Sequence, residues 1–243
     1  YQSRDSIQAV VVESGVTTIG ERAFNDCSSL TSITIPEGVT TIGKYAFSDC
    51  SSLSSITIPK SVTTIGGSAF SYCSSLTSIT IPEGVTTIGD RAFSGCSSLT
   101  SITIPQGVTT IGNSAFRFCD SLTDVSITDL AAWCRIDFAN FYATPMCNGG
   151  NLLLNGQKLV SVTVPEGVTE VKAYTFYGFK DLIQVTFPEG VTAIGYRSFS
   201  GCSSLISITI PEGVTTIGDR AFYSCSSLSS ITIPEGVTTI GEY

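Results

Sequence analysis

Residues 76–98 read LTSITIPEGVTTIGDRAFSGCSS, and near copies of this 23-residue string begin at Leu30, Leu53, Leu99, Leu205 and Leu228. More divergent copies begin at Ile7, Leu122, Leu159 and Leu182, which makes ten units. A fixed period of this length marks a repeat architecture, in which a unit is stable only when stacked on its neighbours. In the second unit the apolar positions are Leu30, Ile33, Ile35, Val39, Ile42, Ala46, Phe47 and Cys50. Ile33 and Ile35 alternate with Ser32 and Thr34, which predicts a short strand. Pro36, Glu37 and Gly38 turn the chain. Residues 39–42 then read as a second extended run, and the three-residue spacing of Phe47 and Cys50 predicts a helical or 3₁₀ turn.

No unit can bury eight apolar side chains alone. Stacking places like on like, so Phe24, Phe47, Phe70, Phe93 and Phe116 should form one buried column that resumes at Phe176, Phe199 and Phe222. A glycine column (Gly15, Gly38, Gly84, Gly107, Gly167, Gly190, Gly213, Gly236) suits a turn needing positive φ or close approach, although Ser61 breaks it. The step from Leu122 to Leu159 is 37 residues instead of 23. The expected organisation is therefore one solenoid over 1–243, with regular units at 7–121 and 159–243 and an irregular unit at 122–158.

The recurring segment I-P-x-x-V-T-x-I-G-x-x-A-F-x-x-C-x-x-L resembles the BspA-like bacterial surface repeats, a leucine-rich type of about 23 residues. The resemblance runs through almost every unit. It implies a right-handed, gently curved leucine-rich-repeat solenoid of about ten coils, with a parallel β-sheet on its concave face and 3₁₀ or helical turns elsewhere. It also implies a secreted or cell-surface protein that adheres to host matrix proteins, other cells or glycans.

Composition narrows the chemistry. Lys and Arg number 12 against 20 Asp and Glu, for a net charge of −8, and histidine is absent. The acidic balance argues against nucleic acid as a partner. Without histidine there is no imidazole base, no Ser-His-Asp triad and no His-ligated zinc. The outward Ser and Thr rows lack any base to activate a nucleophile, so a hydrolase is disfavoured and no catalytic residue is assigned. No cofactor or metal is expected. The turn glutamates (Glu37, Glu83, Glu166, Glu189, Glu212, Glu235) read as a solvated acidic ridge rather than a Ca²⁺ site. No apolar run is long enough to insert in a membrane. The sequence opens without a leader and stops mid-unit at Tyr243, so it is read as part of a longer array, or else as a natural end with a frayed last coil.

Seven cysteines (Cys27, Cys50, Cys73, Cys96, Cys119, Cys202, Cys225) share one repeat position, which Phe179 fills in another unit. They are expected to be buried and reduced. Only Cys134 and Cys147, in the irregular unit, are candidates for a disulfide, with two separately buried thiols as the alternative. That unit should hold a short helix from Leu130 capped by Asp129, and a hairpin turning at Asn155-Gly156. It also gathers Trp133, Phe138, Phe141, Tyr142 and Pro145, either as a binding excrescence or as a plug between coils.

Specificity is expected at the variable turn positions, which carry Tyr45, Tyr72, Arg117, Phe118, Tyr174, Tyr177, Tyr196, Arg197 and Tyr223. Tyr and Arg are favoured at interface hot spots. Tyr174, Tyr177, Tyr196 and Tyr223 fall on consecutive coils and would form an exposed strip beside Arg197, unless they are packing. Together with Trp133, Phe141 and Tyr142 they are the candidate interaction surface. The function expected is a non-catalytic interaction module for a protein or glycan ligand, with a structural spacer as the alternative.

Overall fold

The structure, a computed structural model, describes residues 4–242; Tyr1–Ser3 and Tyr243, where the reading of the chain ends was made, lie outside the described residues. Each regular coil before the last contributes one strand of two or three residues near its opening leucine and a two-residue strand later, as in Ser32–Thr34 and Thr41–Ile42, while the last keeps only the later strand. The strands pair in parallel with those of the next coil, 23 positions on, so that Thr41 lies opposite Thr64 and Ile42 opposite Ile65. This is a parallel-strand β-solenoid of about ten turns, as the period predicts. The phenylalanine column is continuous: rings of Phe24, Phe47, Phe70, Phe93 and Phe116 stack at 5.4, 5.4, 5.6 and 5.5 Å.

The turn around Phe47 is not the continuous 3₁₀ piece that its spacing suggests. The amides of Ala46, Ser48 and Cys50 do bond to carbonyls three residues back. Tyr45 and Asp49, however, have φ of 57° and 62°. These left-handed residues aim the intervening amides of Tyr45, Phe47 and Asp49 at carbonyls of Gly67, Ala69 and Ser71 in the next coil. The chain thus satisfies its backbone between coils even in the turns.

The turn-glycine column shows both of the expected requirements, positive φ at some coils and close approach at others. Gly15 and Gly38 do have φ near +100°, at 95° and 102°. At the equivalent position Ser61 is tolerated because its Oγ accepts from the Gly38 amide at 3.1 Å and donates to the Val39 carbonyl at 2.7 Å. At Gly107 and Gly236 a Cβ would lie 2.9 and 2.8 Å from the Glu83 and Glu212 carbonyl oxygens of the coil before, and a second, tighter column sits five residues after the turn glycine. A Cβ on Gly43, Gly66, Gly89, Gly195 or Gly218 would lie 2.5–2.8 Å from backbone of the coil before. Gly20, in the first coil, has nothing within 4 Å, and Lys172 takes this position just after the irregular unit. The rule holds where a regular coil lies beneath.

All nine cysteines are free thiols. Those of the column are not passive fillers: Cys50, Cys73, Cys96 and Cys119 each donate S–H to the phenylalanine carbonyl of the preceding coil at 3.1 Å. The Cys134–Cys147 bridge is not formed. Cys147 continues the thiol column, with Sγ 4.0 Å from the Phe116 carbonyl, while Cys134 is buried in the short helix. They belong to different layers of the coil.

The irregular unit forms its expected parts. Helix α1 (Leu130–Cys134) is capped by Asp129, which accepts from the Ala132 amide at 3.0 Å. Strands Asn151–Leu154 and Gln157–Lys158 form the hairpin, with Asn155 and Gly156 both at positive φ, 50° and 79°. Both parallel ladders stop at this unit and restart at Ser161–Thr163 and Glu170–Val171. Trp133, read from sequence as interaction surface, is 1% exposed. Its indole stands edge-on to Phe138 at 5.2 Å, and its Nε1 donates to the buried Thr175 carbonyl of the next coil at 2.9 Å. The unit is a plug at this point, and Trp133 is removed from the surface set.

Candidate interaction surface

Phe141 and Tyr142, unlike Trp133, remain at the surface, on the flank formed by the left-handed turns. Their rings lie 4.0 Å apart. From there a chain of contacts runs in both directions. Phe141 meets Tyr177 at 5.8 Å, Tyr177 meets Tyr174 edge-on at 6.0 Å, and Tyr174 meets Tyr196 edge-on at 5.4 Å. The Arg197 guanidinium is 6.0 Å from the Phe141 ring and 5.5 Å from Tyr196. On the other side Arg117 lies 5.2 Å from Tyr142 and 4.5 Å from Phe118. Cation–π attraction of this kind fixes the guanidinium planes against the rings.

Six of the residues expected to form the surface are therefore brought together: Phe141, Tyr142, Tyr174, Tyr177, Tyr196 and Arg197. Tyr223 is 50% exposed but has no ring neighbour among the described residues, so it stands apart from the belt. Arg117 and Phe118 join it, although their sequence signal was only that they occupy variable turn positions. The irregular unit supplies the link, and its broken period concealed which coils Phe141 and Tyr142 would bridge.

Burial pushes the phenols of Tyr174 and Tyr177 up from the usual value of 10.0, so both stay neutral hydroxyls at physiological pH. The Nε atoms of Arg117 and Arg197 are buried without a hydrogen-bond partner. Among the described residues neither arginine has a carboxylate within ion-pair distance.

Beyond Phe118 the same flank continues as a cavity of about 320 Å³ over coils two to five. Its floor is a row of serines one coil apart, Ser48, Ser71 and Ser94, with the Oγ atoms of Ser48 and Ser71 at 2.9 Å. Tyr45, Tyr72 and Phe118 wall it, and Arg91 and Arg117 line it. The Tyr72 ring lies against the Gly95 backbone, where any Cβ would collide with it. Aromatic faces, hydroxyls and guanidinium groups can bind and orient a polar ligand. Asp49 also lines the cavity, and its carboxylate accepts from the Ser48 hydroxyl at 2.6 Å.

Parallel coils, leucine and phenylalanine columns and an outward-facing polar flank define a leucine-rich-repeat solenoid. A profile of the BspA type leucine rich repeat region, in six copies, matches residues 1–131 and 150–243, and the chain belongs to that family. The unmatched residues between fall within the plug. Among solved structures, a leucine-rich repeat protein from Bacteroides ovatus is 29% identical, with 99% of this chain and 76% of that chain covered, at a TM-score of 0.53. The T. pallidum leucine rich repeat protein is 27% identical over 81% of this chain and 77% of that one, at a TM-score of 0.52. The pneumococcal vaccine antigen PcpA shares the fold at 24% identity, with a TM-score of 0.64 over 96% of this chain and 58% of that one. Among curated proteins no match is found. No helix among the described residues is long and apolar enough to cross a membrane.

Proposed function

We propose that this chain is a non-catalytic interaction module of a secreted or cell-surface protein, and that a protein or glycan docks on the flank between Phe118 and Tyr196. The observation that carries the reading is the contact chain of six rings with Arg117 and Arg197 embedded in it. Tyr and Arg supply most hot-spot energy at interfaces because they offer large rigid faces and several donors. Membership of a repeat family whose members present extended surfaces supports a binding role, and adhesion to matrix or to other cells follows as its use. The lack of histidine anywhere in the chain supports a role without turnover.

The test is binding of the wild-type chain to a panel of matrix proteins and glycans, repeated with the double variant Tyr177→Ala/Tyr196→Ala. Binding should fall by about tenfold or more, the range of a hot-spot loss, with the circular dichroism unchanged. Unchanged binding would overturn the assignment of this flank. A wild-type chain that binds nothing on the panel would favour a spacer that carries another domain.

A further inference from the structure

We propose that this flank takes a linear acidic polysaccharide, a uronate-containing chain lying along the solenoid axis with one sugar ring per coil. This rests on the reading of the flank as a docking surface and specifies its ligand.

Charge gives the first argument. In a chain of net charge −8, Arg91, Arg117 and Arg197 all stand on this one flank, and none has a carboxylate within ion-pair distance among the described residues. Two of the three also have a buried Nε without a partner. A guanidinium offers a planar fork of donors that matches a carboxylate. Asp49 is the one acidic residue lining the cavity, and one of its oxygens already accepts from the Ser48 hydroxyl at 2.6 Å. The site thus presents donors that the protein itself leaves unmatched.

Shape and period give the second. Tyr72 and Phe118 are 52% and 45% exposed, and their rings offer flat apolar faces on either side of the serine floor. A pyranose has an apolar face for such a ring and hydroxyls for such a floor. Coils repeat at the ring spacing of 5.4–5.6 Å, which is close to the advance per sugar in an extended polysaccharide. An extended peptide advances about 3.4 Å per residue and drifts out of step with the coils. An acidic peptide would therefore meet Arg91 and Arg117 but not the repeating floor between them.

Polygalacturonate is the probe, with its fully methyl-esterified form as the uncharged chain of the same backbone. Affinity electrophoresis or calorimetry on the intact chain should show binding to the acid, little to the ester, and weakening as salt rises. Arg117→Gln and, separately, Tyr72→Ala should each weaken binding about tenfold, as expected for losing one charge-assisted hydrogen bond or one stacking face. Arg117→Lys should restore part of the loss. Absence of binding, equal binding of the ester, or tighter binding of poly-glutamate or an oligonucleotide would each overturn the proposal. Loss of matrix-protein or neutral-glycan binding in Tyr177→Ala/Tyr196→Ala, with polygalacturonate ignored, would sink the acidic-sugar inference alone and leave the docking surface standing.

Discussion

The indole Nε1 of Trp133 donates to the carbonyl of Thr175, 42 residues further on, at 2.9 Å, and both residues are buried. This bond crosses the place where both strand ladders stop, so side chains do the joining there. Lys172 Nζ adds bonds to the Asp137 carboxylate at 2.6 Å and the Arg135 carbonyl at 2.8 Å, and Lys158 pairs with Asp181 at 2.7 Å. Those two ion pairs are solvent-facing and contribute little. The indole, which is buried, contributes most.

Trp133→Phe keeps an aromatic plug but strands the Thr175 carbonyl. An unsatisfied buried acceptor costs about 1–3 kcal/mol. The loss should be local to the joint: amides of residues 171–179 should exchange faster with solvent, while those around Phe70 keep their protection. Uniform acceleration along the chain would show that the two stacks unfold as one unit.

The glycine five residues after the turn glycine makes a position-specific prediction. Gly66→Ala would place a Cβ 2.7 Å from the Lys44 backbone nitrogen, and backbone cannot move aside cheaply. Such overpacking costs about 1–3 kcal/mol. Gly20→Ala, at the same repeat position with nothing beneath it, should leave the thermal midpoint unchanged. Equal effects of the two variants would remove the stacking explanation.

The ladder of first strands has a gap between Ser32–Thr34 and Ser55–Ile56, and it is reduced to the single bridge Thr209–Thr232 between the ninth coil and the tenth, whose second strands still pair. Both interruptions fall where serine follows the opening leucine, at Ser54 and Ser229. In the other coils that open on leucine that residue is β-branched, and Thr31, Thr77, Thr100 and Thr123 also donate their hydroxyls to the preceding coil at 3.0–3.3 Å. Ser54→Thr should close the first gap, slow exchange of the Ser55 and Ile56 amides, and stabilise by about 0.5 kcal/mol, within the span of strand preferences. Unaltered exchange at Ile56 would mean that the gap has another cause.

What the sequence made legible was whatever repeats. The strand positions, the stacked Phe47, Phe70 and Phe93, and the thiol column follow from period alone, because identical residues 23 apart must meet when coils stack. Where the period lapses, so does inference. Trp133 has no equivalent in other coils, so its chemistry suggested a surface anchor while its actual place is buried against Phe138 and the Thr175 carbonyl. One extra residue before Cys147 hid its membership of the thiol column and made a bridge to Cys134 look open. Two glycine columns look alike in sequence, yet the turn column mixes positive φ with close approach while the second is set by close approach to the coil beneath. The aromatic belt was half visible, since Tyr174, Tyr177 and Tyr196 lie on adjacent coils, whereas its link to Arg117 passes through the aperiodic Phe141 and Tyr142.

The thiols link stability to pH. Burial pushes Cys50, Cys119 and Cys134 up to about 12 from the usual 9.0, and Cys147 up to about 11. A group whose pKa is higher in the folded chain than in the unfolded one stabilises the fold fully below the unfolded value. That stabilisation is lost as pH rises, because only the unfolded chain then ionises. Midpoints of denaturant unfolding should therefore be flat up to about pH 8 and decline steadily between 9 and 12. Replacing Cys73 and Cys96 with Ala should flatten the decline even though the variant is less stable at pH 7, since deleted thiols no longer titrate on unfolding. At pH 8 a disulfide reagent should find Cys147 first, because it is the one half-buried thiol and the other eight are buried, and those only after denaturation. Rapid reaction of several thiols in the folded protein would contradict the sheltered column, and with it the S–H bonds that tie each coil to the one before.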